Sequence, residues 1–304
     1  MKLSHKQWLE ERRKSIGGSD AAALVGMSPY ATPYMVWADK TGRLPPKEDS
    51  EAMRQGRDLE EYVAKRFCEK NEKKVHIQSG IIRNPAYPYA HATIDRKVTG
   101  ERAGLECKTT SAMNLKKFKN GEYPENYYAQ CMHYLAVTGW ERWYLAVLIL
   151  GRDFQTFTIE RDEEEINALM ETEKDFWEKY VACDVPPPVD GLIPTSETLS
   201  AIYPISKFGE SVDLMGRERL IEDYLSTQEL IKSYKRENEK RKQILQQDLG
   251  ESPEGITGRY VVTWRVSSRL VFNTEAFQKD YEKIDLAPYY KTSEFRKFNI
   301  KELK

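Results

Sequence analysis

The sequence predicts a mixed α/β (α+β) chain in two parts. Three observations lead there. Between residues 75 and 159, short apolar runs alternate with turn signals, two of them hairpin-like: Thr99-Gly100 and Gly151-Arg152-Asp153. Amphipathic helical patterns lie on either side, at 51–70 and at Glu163 to Val181. Pro186-Pro187-Pro188 then stops the second helix, and the character of the chain changes. The predicted parts are therefore residues 1–188, a core, and residues 189–304, an extension.

In chain order, Trp8 to Lys14 is amphipathic, and Gly17-Gly18-Ser19-Asp20 turns into a short apolar helix from Ala21 to Val25 with Ser19 or Asp20 as its cap. Thr32-Pro33 starts a helix carrying Tyr34, Val36 and Trp37. The 51–70 helix puts Met53, Leu59, Tyr62, Val63, Arg66 and Phe67 mostly on one face. Strands are expected at Val75 to Ile82, His91 to Val98 and Arg102 to Thr110. A helix follows from Tyr127 to Thr138, then strands from Trp143 to Leu150 and from Phe154 to Ile159. Beyond the prolines, Asp213 to Leu249 reads as one long charged helix whose heptads fail at Gln228, Lys235 and Lys242. A strand is expected at Tyr260 to Val266, and from Gly255 onward ten Lys/Arg stand against six Asp/Glu.

Composition narrows the function classes. The 304 residues are 40% hydrophobic and 31% charged, a polar globular composition without a disorder signature. Lys+Arg of 47 and Asp+Glu of 48 give a net charge of -1 and exclude a uniformly basic coat protein. Nucleic acid stays possible, since an acidic site and a basic track can cancel. No apolar run nears the ~18 residues of a membrane span, and no apolar leader follows Met1-Lys2. A soluble, non-secreted, cytoplasmic protein with no membrane partner is expected. Cys68, Cys107, Cys131 and Cys183 form no CxxC, so four reduced, mostly buried thiols are expected rather than a zinc or iron–sulfur site.

Asp95, Glu106 and Lys108 carry the chemistry. Glu106 and Lys108, at i and i+2 on one strand, leave the same face. Asp95, on the strand across the hairpin, reaches that face. Two converging carboxylates suit Mg²⁺ or Mn²⁺, and a lysine beside them can orient or deprotonate water and stabilise charge on a phosphate. The same three residues also fit an exposed cross-strand ion pair of little consequence. Glu60 lies one helical turn after Gly56, whose lack of a side chain would allow close backbone approach. Gln130 and Tyr134 share a helix face at i and i+4.

Together these residues resemble a known family. The run Arg12 to Ala23, with Gly17-Gly18-Ser19-Asp20 at its centre, then Gly26-Met27-Ser28-Pro29-Tyr30, Gly56-Arg57-x-x-Glu60, Asp95, Glu106-Cys107-Lys108 and Gln130-x-x-x-Tyr134, resembles the YqaJ-type viral recombinases. These are phage-type alkaline exonucleases of the lambda exonuclease superfamily, and the likeness covers about residues 6 to 160. It implies a PD-(D/E)xK, restriction-endonuclease-like core with a mixed central sheet flanked by helices. It implies Mg²⁺, with Mn²⁺ as substitute, held by Asp95, Glu106, the Cys107 carbonyl and Glu60, with Lys108 and Gln130 acting on the attacking water. Arg12 and Ser19 are implied to contact a 5′-terminal phosphate, and Tyr134 is grouped with them as a DNA-contacting residue. Ile94 replaces the motif's Pro, and Cys107 stands where an apolar residue is usual.

The resemblance implies digestion of double-stranded DNA ends 5′ to 3′, supplying single strands to a single-strand annealing protein, by a homo-oligomer such as a ring of three. A nicking or structure-specific endonuclease on the same core is the alternative, and a non-catalytic DNA-binding scaffold a third. Locally, Ser19 also fits a plain helix cap and Arg12 a partner of Glu10 or Glu11. His91, four residues before Asp95, is expected to be structural, since four strand residues span ~13 Å. Tyr289, Tyr290, Phe295 and Phe298 among Lys291, Arg296 and Lys297 suit DNA stacking or plain terminal packing.

Overall fold

A computed structural model describes residues 5–45, 49–281, 284–292 and 294–302. The chain divides into two compact units, Met1–Pro204 and Ile205–Lys304.

The first unit is built on a mixed five-stranded sheet of order β2-β4-β5-β6-β7. Its strands are β2 (Val75–Ile77), β4 (Arg96–Val98), β5 (Ala103–Thr110), β6 (Arg142–Ile149) and β7 (Asp153–Glu160). Both predicted hairpins form: β4 and β5 pair antiparallel with Arg96 opposite Leu105, and β6 and β7 with Ile149 opposite Asp153. At the centre β5 and β6 run parallel, Glu106 opposite Leu145. Parallel strands require a crossover, here helix α5 (Glu125–Thr138) after a 3₁₀ segment at Ala112–Gly121. Helices cover both faces, and so β6, Trp143-Tyr144-Leu145-Ala146-Val147, reads apolar throughout.

Residue alternation sorts the two cores. Leu105, Tyr144, Ala146 and Phe154 pack beneath α4 (Glu51–Asn71) through Val63, Ala64 and Phe67. Trp143, Leu145, Val147 and Ile149 face α5, α2 (Gly18–Leu24), α3 (Pro33–Lys40) and α6 (Glu163–Phe176). Gly104 is obligatory between the faces, since a Cβ there would lie 2.3 Å from the Trp143 ring. Preceding these helices is α1 (His5–Arg13).

Several elements differ from expectation. The predicted strand over 91–98 is broken: β3 (Ala90–His91) pairs in parallel with β1 (Ile16–Gly17), and the chain bends at Asp95 before β4 begins. The 75–82 run yields only β2 and one bridge, Ile82 to Ala92. Met53 and Tyr62 of α4 face solvent, because only the Val63, Ala64 and Phe67 stripe meets the sheet. Helix α6 ends at Phe176 and continues to Val181 as a wider π turn. Past the prolines, α7 (Ile193–Ile202) packs on α3, and the buried hydroxyls of Thr32 and Thr195 meet at 2.8 Å. All four cysteines are free, but only Cys131 is buried and Cys183 is exposed, which corrects the expectation of mostly buried thiols.

The second unit holds α8 (Glu218–Leu249), the antiparallel pair β8 (Glu254–Ile256) and β9 (Val261–Thr263), and α9 (Thr274–Asp280). None of its described residues is buried. Tyr289, Tyr290, Phe295 and Phe298 are exposed. Among the described residues, no helix is long and apolar enough to cross a membrane.

Candidate active site

Strand alternation puts Glu106 and Lys108 on the α5 face of β5, opposite Leu105 and Cys107. The Glu106 side chain is only 5% exposed. Its Oε1 accepts from Gln130 Nε2 at 2.8 Å and takes Lys108 Nζ at 2.6 Å. Its Oε2 is buried with no hydrogen-bond partner. Such an orphaned carboxylate oxygen is costly unless something else satisfies it. Gln130 Nε2 also donates to the Tyr134 hydroxyl at 2.7 Å, so one amide joins α5 to the carboxylate and fixes its position.

Asp95 reaches the site from the bend, not from a strand. Its Oδ2 accepts the Cys107 N–H at 2.8 Å. The β4–β5 ladder stops at Arg96 opposite Leu105, so beyond that pair Asp95 occupies the edge a longer β4 would have covered. A strand residue turns its N–H and C=O to the same edge; the Cys107 carbonyl therefore faces this open edge as well. Glu60 approaches from α4, on the other side of the sheet, in the grip of Arg96 Nη1. Arg96, nearly buried, also donates to the Asp95 carbonyl and to Glu61, both at 2.8 Å. Gly56 is not needed for close approach, because a Cβ there would meet only Thr109 Oγ1 at 3.8 Å.

The charges interlock. Burial, followed by the Glu106 and Glu60 charges, pushes the Asp95 carboxyl well above the usual range, against the Cys107 N–H and Lys108. Burial alone would lower Lys108, but the Glu106 charge and hydrogen bond outweigh it and hold the ammonium above its ordinary value. Burial and then Glu106 likewise raise the Tyr134 phenol. Among the described residues, no group of three or more His, Cys, Asp and Glu side chains is placed to hold a metal ion. The hard-oxygen donors are two carboxylates, one with a bare oxygen, and a peptide carbonyl; a divalent cation fits that set and its surplus negative charge.

Arg12 and Ser19 form a separate pair: Arg12 Nη2 donates to Ser19 Oγ at 3.0 Å, and the guanidinium lies 4.8 Å from the Trp8 ring centroid. Ser19 does not cap α2. Gly17 is the cap, and Asp20 accepts the Gly17 N–H at 2.9 Å. Asp20 is fixed there by the buried Lys40 ammonium at 2.6 Å. Burial alone would raise the Asp20 carboxyl, but Lys40 and Arg12 hold it below its ordinary value. Glu11 pairs with Lys14 and Arg83, leaving Arg12 to Ser19. Tyr134, expected among the DNA contacts, is buried between Gly18 and Trp143, and a Cβ on Gly18 would come within 2.5 Å of its ring. Tyr134 shapes the site from below by holding Gln130.

His91 stands apart from the carboxylates, its Nδ1 2.9 Å from Ser15 Oγ. Arg96 and Tyr127, whose ring centroid is 5.4 Å from Lys108 Nζ, belong to the site but were not singled out in the sequence. Arg96 follows Asp95 directly, yet one arginine in a chain this charged carries no signal of its own. His133 and Glu173 form a wholly buried pair at 2.7 Å, also unforeseen.

Glu106 and Lys108 from β5, Asp95 from the bend before β4 and Gln130 from α5 converge at one place on a mixed sheet, and sequence kinship gives the family. Residues 7–141 match the YqaJ-like viral recombinase domain. The chain is 38% identical over 310 residues to the uncharacterized protein YqaJ of Bacillus subtilis (strain 168), spanning 99% of this chain and 95% of that protein. It belongs to the YqaJ family. Among solved structures, the alkaline exonuclease LHK-Exo of Laribacter hongkongensis is similar at 19% identity and TM-score 0.49, over 59% of this chain and 93% of that one. A putative exonuclease of Eubacterium rectale is similar at 14% identity and TM-score 0.47, over 72% and 98%.

Proposed function

We propose that this chain is a divalent-metal-dependent deoxyribonuclease of phage-type recombination that digests linear duplex DNA from its ends, 5′ to 3′. One observation carries the reading. Glu106 is buried, shares one oxygen between Gln130 and Lys108, and leaves the other bare, while burial and then the Glu106 and Glu60 charges disfavour the ionised Asp95 carboxyl. A bare carboxylate oxygen is not enough by itself, since the buried Glu173 Oε2 beside His133 is bare as well; what supports a functional reading at Glu106 is that a second, perturbed carboxyl and a lysine converge on it. Membership of the YqaJ family supports the same reading.

Asp95, Glu106 and the Cys107 carbonyl would hold Mg²⁺ or Mn²⁺, with Glu60 as a further acidic ligand if Arg96 releases it. When bound, the ion supplies Lewis-acid polarisation of the phosphodiester and a more acidic water. Lys108 stays protonated at neutral pH, since Glu106 raises its pKa. From there it can orient the water and neutralise charge on the phosphate. Gln130 holds the Glu106 carboxylate in place. Arg12 and Ser19 are proposed to receive the 5′-terminal phosphate, which carries about two charges against one for an internal diester. The single strand left behind would go to an annealing protein, and a homo-oligomeric ring would keep the enzyme on its track.

The test compares 5′-phosphate linear, 5′-hydroxyl linear and closed circular duplex in Mg²⁺. Asp95→Asn and Glu106→Gln should each abolish cleavage with unchanged circular dichroism. The 5′-phosphate ends should be digested faster than the 5′-hydroxyl ends, and Arg12→Ala should erase the difference. Retention of more than a few per cent of activity by Asp95→Asn overturns the site. Efficient cutting of the closed circle replaces the exonuclease with an endonuclease. DNA binding without cutting of any substrate leaves a scaffold.

A further inference from the structure

The run Gly26-Met27-Ser28-Pro29-Tyr30 takes no part in the carboxylate site, yet its backbone is stiff. Gly26, at φ 75°, closes α2 with two reversed bonds: Gly26 N–H to the Ala23 carbonyl and Met27 N–H to the Ala22 carbonyl. Ser28 Oγ accepts the N–H groups of Tyr30 and Ala31, both at 3.2 Å. Pro29 fixes its own φ. This loop presents Tyr30, 71% exposed, at the wall of a cavity of about 680 Å³. A large aromatic on a rigid, solvent-facing loop gains nothing from folding and is suited to meeting a flat partner.

The cavity adjoins the site. Thr110, two residues beyond Lys108 on β5, lines it, as does Tyr127, against whose ring the Lys108 ammonium rests. Its charged lining is Lys117, Glu122 and Glu125, more acid than base, and Asn114 and Asn126 add amides. That balance disfavours a phosphate. It suits a neutral heterocycle whose amino and imino hydrogens can meet a carboxylate or an amide oxygen, while its faces lie against tyrosine. The volume is in the range of sites that enclose a nucleotide-sized ligand. A base inside a duplex has neither face free, so the occupant must be unpaired.

We propose that this cavity takes an unpaired nucleobase of the strand being cut, stacked on the Tyr30 ring, and so anchors that strand beside Lys108. The proposal rests on the nuclease reading above and adds to it a base-binding subsite.

The experiment measures binding of a short linear duplex by the Lys108→Ala protein, in which cleavage is stopped. The protein is compared with Tyr30, Tyr30→Phe and Tyr30→Ala at the second site. A set of duplexes carries one abasic residue at successive positions from the 5′ end. Tyr30→Ala should weaken binding by about tenfold, and Tyr30→Phe should restore it. One abasic position should cost the Tyr30 protein a similar factor and cost Tyr30→Ala nothing more. Unchanged binding by Tyr30→Ala, or an abasic penalty that persists in it, overturns the subsite. Continued cleavage by Lys108→Ala overturns the role assigned to Lys108 instead, and the binding comparison, repeated without divalent cation, still decides the cavity; no cleavage of any duplex by the protein with Lys108 intact overturns the nuclease reading.

Discussion

Acid should destabilise this protein through His91, and by a calculable amount. The ring is 1% exposed. Its Nδ1 lies 2.9 Å from Ser15 Oγ, which also accepts from Arg83 at 3.1 Å, so a protonated ring would share that oxygen with a guanidinium. Burial, and after it the charges of Lys40 and His133, lower the His91 pKa from 6.5 to about 3. Because the folded value is the lower one, neutral His91 favours the fold above pH 6.5, and that stability is lost as pH falls from 6.5 toward 3. At pH 5 the unfolded ring is protonated and the folded ring is not, a loss of about 2 kcal/mol at about 1.36 kcal/mol per pH decade, and the loss grows toward pH 4. His133 works in the opposite direction. Burial lowers it, but Glu173 outweighs burial and raises it, so its contribution is present at low pH and lost as pH rises through the folded value. Comparison with His91→Gln isolates His91, since both proteins keep His133. Urea unfolding at pH 8 and pH 5 should show the native protein losing about 2 kcal/mol more than the variant. Parallel pH dependence of the two would refute the argument. So would a stabilisation by Mn²⁺ that His91→Gln abolishes, because that would make His91 a ligand.

Other consequences follow from the geometry around the site. Gly18→Ala would press a methyl group into the Tyr134 ring at 2.5 Å; about 1–3 kcal/mol of stability should be lost, and kcat should fall as Gln130 and Glu106 shift. Arg96→Met should cost about 1–3 kcal/mol, less than a fully buried pair because the Glu60 side chain is 31% exposed. Much of that loss should vanish in a Glu60→Gln background if the two side chains interact directly; additive losses in a double-mutant cycle would refute the pairing. A fragment ending at Pro188 should melt lower than one ending at Pro204, because it lacks α7 and leaves the buried Thr32 hydroxyl without Thr195. One lost bond of about 1 kcal/mol corresponds to about 2–4 °C, and equal melting temperatures would show that α7 adds nothing.

The sequence by itself determined what is local. Thr99-Gly100 can only turn a hairpin tightly, and Gly100 takes φ 82°; that turn sets β4 against β5 and brings Asp95 near Glu106. Two-residue alternation puts Glu106 and Lys108 on one face whatever lies above them. Thr32-Pro33 starts α3 through its own hydroxyl, and the apolar period at 163–176 specifies α6. Tertiary structure decided whatever depended on partners distant in the chain. Asp95 sits at a bend because Ala90–His91 pairs with Ile16–Gly17 and because Arg96 is drawn to Glu60 and Glu61. Asp20, not Ser19, completes the α2 cap because Lys40 buries its ammonium against that carboxylate. Tyr134 is buried beneath the site because Gly18 leaves room for its ring. The bare oxygen of Glu106, on which the functional reading rests, exists only because α5 and β5 bury that side chain while supplying partners for one of its two oxygens. Propensity and spacing act over a few residues; the burial that makes a carboxylate reactive is set by every element packed around it.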